Sequence, residues 1–289
     1  MTARTATDVV ARALAGARIR YVDSNGLRHR VVTFNPQAER DVLFIPGITS
    51  PAETARFIAD ALPHLRLHVP DLRGRGHTDV SPECRYQLTD YRADAVGIIA
   101  ALDLNDPVLV GHSLGARIIA SVALATSPTA PVVLVDPPTS GPGRPPYPMS
   151  SASFLAQIDE ARAGTTTEQV RKYFPRWPEA ELQLRAAVLP TCDPQAVAAT
   201  HHGFEIEDFF PIWDLLDGDV TLIYGANSPV VPAEAVAELA ERNTRVRITA
   251  VPDAGHMVPW DNLSGFVTAL ESAVTAEPKN PAINAHSPK

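Results

Sequence analysis

The stretch VLVGHSLGAR (residues 108–117) constrains this chain more than any other. It sets Gly111, Ser113 and Gly115 at alternate positions between an apolar, β-branched run (107–113) and a segment with helical spacing of apolar residues (114–126). A strand that passes into a helix through one residue must turn sharply there. The positions two residues to either side then come too close to carry side chains. Ser113 is therefore expected on a strained strand-to-helix turn, its hydroxyl raised at the start of a helix whose free N–H groups favour negative charge.

That junction is one of a series. Runs that read as strands lie at 18–22 and 28–34, flanking the hairpin signal Asn25-Gly26. Others lie at 41–47, 65–71, 107–113, 130–136, 219–225 and 245–252, with helical patterns at 52–62, 88–104, 114–126, 232–242 and 263–274. Regular alternation of this kind predicts crossover units and a mostly parallel central sheet flanked by helices, an α/β class, with the antiparallel hairpin on one edge. The alternation breaks after residue 136. PPTSGPGRPPYP (137–148) is too rich in Pro and Gly for either element, and 149–216 is helical in pattern. The reading is a core of 17–148 and 217–275 with an inserted helical lid, 149–216, of the kind that shapes a substrate pocket. The polar, Pro-rich tail 276–289 is expected to be disordered. Ahead of the core, TDVVARALAGARIR (7–20) has amphipathic helical spacing; Asp8 and the short apolar run set it apart from a secretory signal.

Lys and Arg total 25 against 33 acidic residues, so the net charge of −8 argues against a nucleic-acid footprint. No apolar stretch is long enough to span a membrane. Cys84 and Cys192 match no metal or redox spacing, and free thiols in a reducing cytoplasm are the expectation. No metal site and no cofactor is implied. The oligomeric state is not legible.

A serine hydroxyl is a weak nucleophile without a base. Of nine histidines, His256 in VPDAGHMVPWD (251–261) follows the last expected strand and can fill that role for Ser113. His112 adjoins the nucleophile, where side chains are expected to point away from it. The base needs an orienting acid between Ser113 and His256 in chain order. The turn TLIYGANSPVV (221–231) is a natural place, but it offers only Asn227 and Ser228, and Glu234 lies on a helix. Asp253 is too close to His256 in sequence to reach its ring easily. Asp136, 23 residues beyond Ser113 and at the end of the adjacent strand, is the remaining choice. The backbone N–H groups of Leu114 and Ile48 are placed to form an oxyanion hole.

These motifs resemble the α/β-hydrolase superfamily across nearly the whole chain, DLRGRGHTD (71–79) included, with Pro46-Gly47 where many members carry His-Gly. PGITSPA (46–52), GHSLGARI (111–118), VLVDPPTSGPGRPPYP (133–148) and AGHMVPWD (254–261) together are similar to the family of N-formylmaleamate deformylases. GITS and GHSLGAR also resemble the acetamidomethylene-succinate hydrolases. In both families the acid follows the sixth strand, as Asp136 does. The resemblance implies cleavage of the N-formyl or N-acyl C–N bond of a small unsaturated, carboxylate-bearing acid through an acyl-enzyme. Carboxylesterase and C–C hydrolase chemistry on the same scaffold remain open, as does a non-catalytic receptor. A carboxylate substrate calls for a cation, and Arg144, with Tyr147 beside it, and Arg176 in the lid are the candidate substrate-binding residues.

Overall fold

The computed structural model describes residues 3–275; the tail read as disordered lies outside them. The chain opens with helix α1 (Ala3–Ala13), then strands β1 (Arg18–Ser24), β2 (Leu27–Phe34) and β3 (Arg40–Ile45). A 3-10 turn at Ala52–Ala55 leads into α2 (Arg56–Ala61), followed by β4 (Leu65–Pro70), α3 (Leu88–Ala101), β5 (Val108–His112), α4 (Leu114–Thr126) and β6 (Val132–Val135). Five helices are inserted next: α5 (Ser151–Gly164), α6 (Thr167–Tyr173), α7 (Glu179–Val188), α8 (Pro194–Ile206) and α9 (Phe210–Leu215). The core resumes with β7 (Val220–Gly225), α10 (Ala233–Arg242), β8 (Arg247–Val251), the short α11 (Val258–Asp261) and α12 (Leu263–Thr275).

The eight strands form one sheet in the order β1-β2-β4-β3-β5-β6-β7-β8. Strands β1, β2 and β4 pair antiparallel, and every pairing from β4 through β3 to β8 is parallel. Asn25 and Gly26, both at positive φ, make the tight turn between β1 and β2. Alternate residues of the central strands feed two apolar layers. Leu43, Ile45, Leu109, Leu134 and Leu222 pack with Tyr91, Ile98, Ile118 and Val122 of α3 and α4. Val42, Phe44, Val110, Val133 and Ile223 pack on the other face with Ile58, Phe266 and Leu270 of α2 and α12. Both faces of a parallel sheet are thus buried, which is why these strands read as nearly continuous apolar runs.

The parallel register sets the heights of the loops. His112 lies opposite Val135, and Val135 opposite Ile223. Ser113 N–H donates to Val135 O, and Asp136 N–H to Ile223 O, both at 2.8 Å. The residues that leave β5, β6 and β7 therefore emerge side by side at one edge.

The amphipathic N-terminal segment, read as standing ahead of the core, is fastened to the insertion. Val9 and Ala13 of α1 bury against Leu184 and Val188 of α7.

Candidate active site

Ser113 sits at φ 57°, ψ −119°, a backbone conformation that L-residues rarely adopt. It is held there by crowding. A Cβ on Gly111 would lie 2.1 Å from Gly115 O, and one on Gly115 would lie 1.9 Å from Ile45 O. Helix α4 behind the serine is buried along its first ten residues, so the turn has no room to relax.

His256 Nε2 lies 3.0 Å from Ser113 Oγ, and His256 Nδ1 lies 2.7 Å from Asp136 Oδ2. A carboxylate on Nδ1 holds the proton there and leaves the Nε2 lone pair facing the serine hydroxyl. Asp136 is fully buried and itself takes a positive φ of 50°. Its carboxylate accepts three hydrogen bonds: from His256, from Gly225 N–H at 3.0 Å, and from the Ser228 hydroxyl at 2.6 Å. Ser228, to which the sequence reading gives no chemistry, thus buttresses the acid from the turn where an acid is absent. Ala226 N–H and Asn227 N–H tie that turn to Val251 O and Ala254 O, beside the histidine loop.

His112 corrects an expectation. Its ring turns toward the site, with its centroid 5.2 Å from that of His256, and Nε2–H donates to His256 O at 2.9 Å. Burial pushes its pKa down to about 3, so it stays neutral beside the base. Its Nδ1 has no hydrogen-bond partner.

Ser113 opens into a cavity of about 150 Å³ lined by Gly47, Ile48, Thr49, Ser50, His112, Tyr147, Met149, Phe154, Gln157, Phe174, Arg185, His256 and Met257. Ile48 is there with its N–H on the loop after β3, and Leu114 N–H belongs to the first turn of α4, where backbone donors lack intrahelical acceptors. The Ile48 carbonyl is held by the buried Arg75, whose Nε donates to it at 3.0 Å while Nη2 reaches Thr200 of α8 at 2.8 Å.

Tyr147 lines the cavity, its hydroxyl 3.2 Å from His256 Nε2. The two arginines proposed from sequence do not. Arg144 forks onto Glu238 of α10 with two bonds of 2.8 Å and stacks 3.2 Å from the Phe210 ring centroid; it faces a different surface depression. The Pro-rich exit carries it past the site toward α10. Arg176 is mostly exposed and bonds Asp261 at 3.2 Å and Asp253 O at 3.1 Å, clasping the insertion to the histidine loop. The stacked rings of Phe174, Trp177 and Trp260 reinforce that clasp.

The cation that does enter the cavity is Arg185 of α7, which sequence reading missed. It is buried, donates to Thr49 O at 2.5 Å and Thr49 Oγ1 at 3.0 Å, and keeps Nε unpartnered. Burial lowers its pKa to about 10, which leaves it charged near neutrality. A signal was present: Arg185 falls on the apolar stripe of α7, three residues after Leu182 and three before Val188, where a charge needs a reason.

Residues 42–269 match the model of the Alpha/beta hydrolase family. The chain is 34% identical over 251 residues to an N-formylmaleamate deformylase of Pseudomonas putida, spanning 86% of this chain and 93% of that protein. A 2-(acetamidomethylene)succinate hydrolase of Mesorhizobium japonicum is 28% identical over 206 residues, 65% of this chain and 70% of that one. The crystal structure of an N-formylmaleamic acid deformylase from Pseudomonas putida S16 superposes with a TM-score of 0.81 at 36% identity, covering 88% of this chain and all of that one.

Proposed function

This chain belongs to the alpha/beta hydrolase family and is a hydrolase, and we propose that it removes the N-formyl group from a small unsaturated acid, N-formylmaleamate, giving maleamate and formate. One observation carries the substrate class: the buried guanidinium of Arg185 shares a small, otherwise largely apolar cavity with Ser113 and His256. A planar fork with an unpartnered N–H suits a carboxylate. Among the described residues lining the cavity, Arg185 is the single arginine or lysine, which favours one carboxylate over the two of an acetamidomethylene succinate.

The steps follow from the geometry. His256 Nε2 takes the Ser113 proton, 3.0 Å away, as Oγ attacks the formyl carbon. Asp136 stabilises the imidazolium, and the N–H groups of Ile48 and Leu114 receive the oxyanion. His256 then protonates the departing nitrogen, and maleamate leaves with Ser113 formylated. Water, deprotonated by His256, attacks the formyl ester; Oγ recovers the proton and formate departs. The inserted helices supply Phe154, Gln157 and Arg185 to the cavity, and Arg185 on α7 takes the carboxylate of the acid.

No helix of the described residues is long and apolar enough to cross a membrane. Cys84 and Cys192 stand as free thiols, which supports a cytoplasmic setting.

The test is formate release from N-formylmaleamate, run beside hydrolysis of p-nitrophenyl acetate. Ester turnover without formate removes the deformylase reading and leaves the hydrolase; silence toward both favours a binding protein.

A further inference from the structure

Tyr147 enters the cavity from the Pro-rich segment that follows Asp136. Its ring is fixed between Phe204, at 5.0 Å between centroids, and Phe154, at 6.1 Å. Its hydroxyl lies 3.2 Å from His256 Nε2. Two hydroxyls thus face a single Nε2 lone pair, since Ser113 Oγ stands 3.0 Å from the same atom. Ser113 Oγ, the nearer of the two, donates to Nε2, and the Tyr147 oxygen keeps its lone pairs open beside the base.

Acylation changes that balance. Once Oγ carries the acyl group it has no hydrogen, and Nε2 loses its donor. A water entering the space of the departed nitrogen can give one hydrogen to Nε2 and the other to the Tyr147 oxygen. Its own lone pair then remains for the acyl carbon. The phenol stays protonated in this role, because burial raises its pKa above the ordinary value.

We infer that Tyr147 is a catalytic residue of deacylation, holding the hydrolytic water jointly with His256. The inference rests on the acyl-enzyme reading above and on no particular acyl group. In the step, a water oxygen bonds to the acyl carbon as Nε2 takes one of its protons. The Oγ–C bond then breaks, the Nε2 proton passes to Oγ, and the acid is released. In the first half-reaction the nucleophile delivers its proton straight to Nε2 and needs no second acceptor. Loss of the Tyr147 hydroxyl therefore falls on the second half.

Stopped-flow comparison of the wild type with Tyr147→Phe on p-nitrophenyl acetate tests this, since Phe keeps the ring packing. The first turnover is expected to change less than about twofold, while the steady-state rate drops roughly tenfold, the size of one lost hydrogen bond. A burst approaching one p-nitrophenolate per active site should follow, with an acetyl group on Ser113 by intact-mass analysis. Hydroxylamine, which does not depend on a positioned water, should restore turnover. Equal slowing of both phases, a change in KM alone, or no acyl-enzyme accumulation overturns the role. A wild type that releases no p-nitrophenolate removes the acyl-enzyme reading and this role together. Normal wild-type turnover with Tyr147→Phe unaltered removes only the role.

Discussion

The groups that line the cavity are placed by different means. Ser113 and Asp136 leave the adjacent parallel strands β5 and β6 at heights that the sheet register sets, and His256 comes from the loop after β8. Arg185 comes from a helix of the insertion and is positioned by its own hydrogen bonds to Thr49. The reacting groups are thus placed by backbone geometry, and the recognising group by side-chain contacts across two layers. The difference teaches where this enzyme can change: the insertion can be altered for a new acid while the sheet edge keeps its chemistry.

That contrast can be broken or sharpened by substitution. The largest effect is expected at the sheet edge. Asp136→Asn should lower kcat by about 10⁴-fold with KM little changed, because an amide cannot hold the imidazole in the required tautomer. Steady-state kinetics on an ester and on the acid substrate should agree, and full activity means that another group orients His256. In the insertion, Arg185→Met should raise KM for N-formylmaleamate by about 100-fold, the worth of a charge-assisted pair, while an ester lacking a carboxylate loses far less. Equal losses on both substrates show that Arg185 acts through the Thr49 loop instead. Arg144→Ala should leave both substrates within about twofold, as expected of a surface ion pair. Ser228→Ala should give the smallest measurable catalytic loss, about tenfold in kcat, by removing one of three donors to Asp136. A larger drop there makes the turn after β7 a full partner of the acid.

The same contrast explains what the sequence discloses. The Gly-x-Ser-x-Gly junction is legible because the crowding of Gly111 and Gly115 depends only on local backbone. Asp136 is legible by elimination along a chain order that the fold imposes. Arg144 and Arg176 misled because proximity in sequence to Asp136, or membership of the insertion, says nothing about which partner a long side chain finds. Arg144 meets Glu238, 94 residues away, and Arg176 meets Asp261. His112 misled for the opposite reason: its partner is the backbone of His256, 144 residues later, and no pattern around the elbow announces it.

The hydrogen bond between Ser228 and Asp136 also bears on ancestry. Its 2.6 Å length sets the hydroxyl against the same carboxylate oxygen that bonds the His256 imidazole. A lineage can carry its acid from one strand end to the other through an intermediate bearing a carboxylate at each. Such a pair shares one proton and still presents a single negative charge to the histidine.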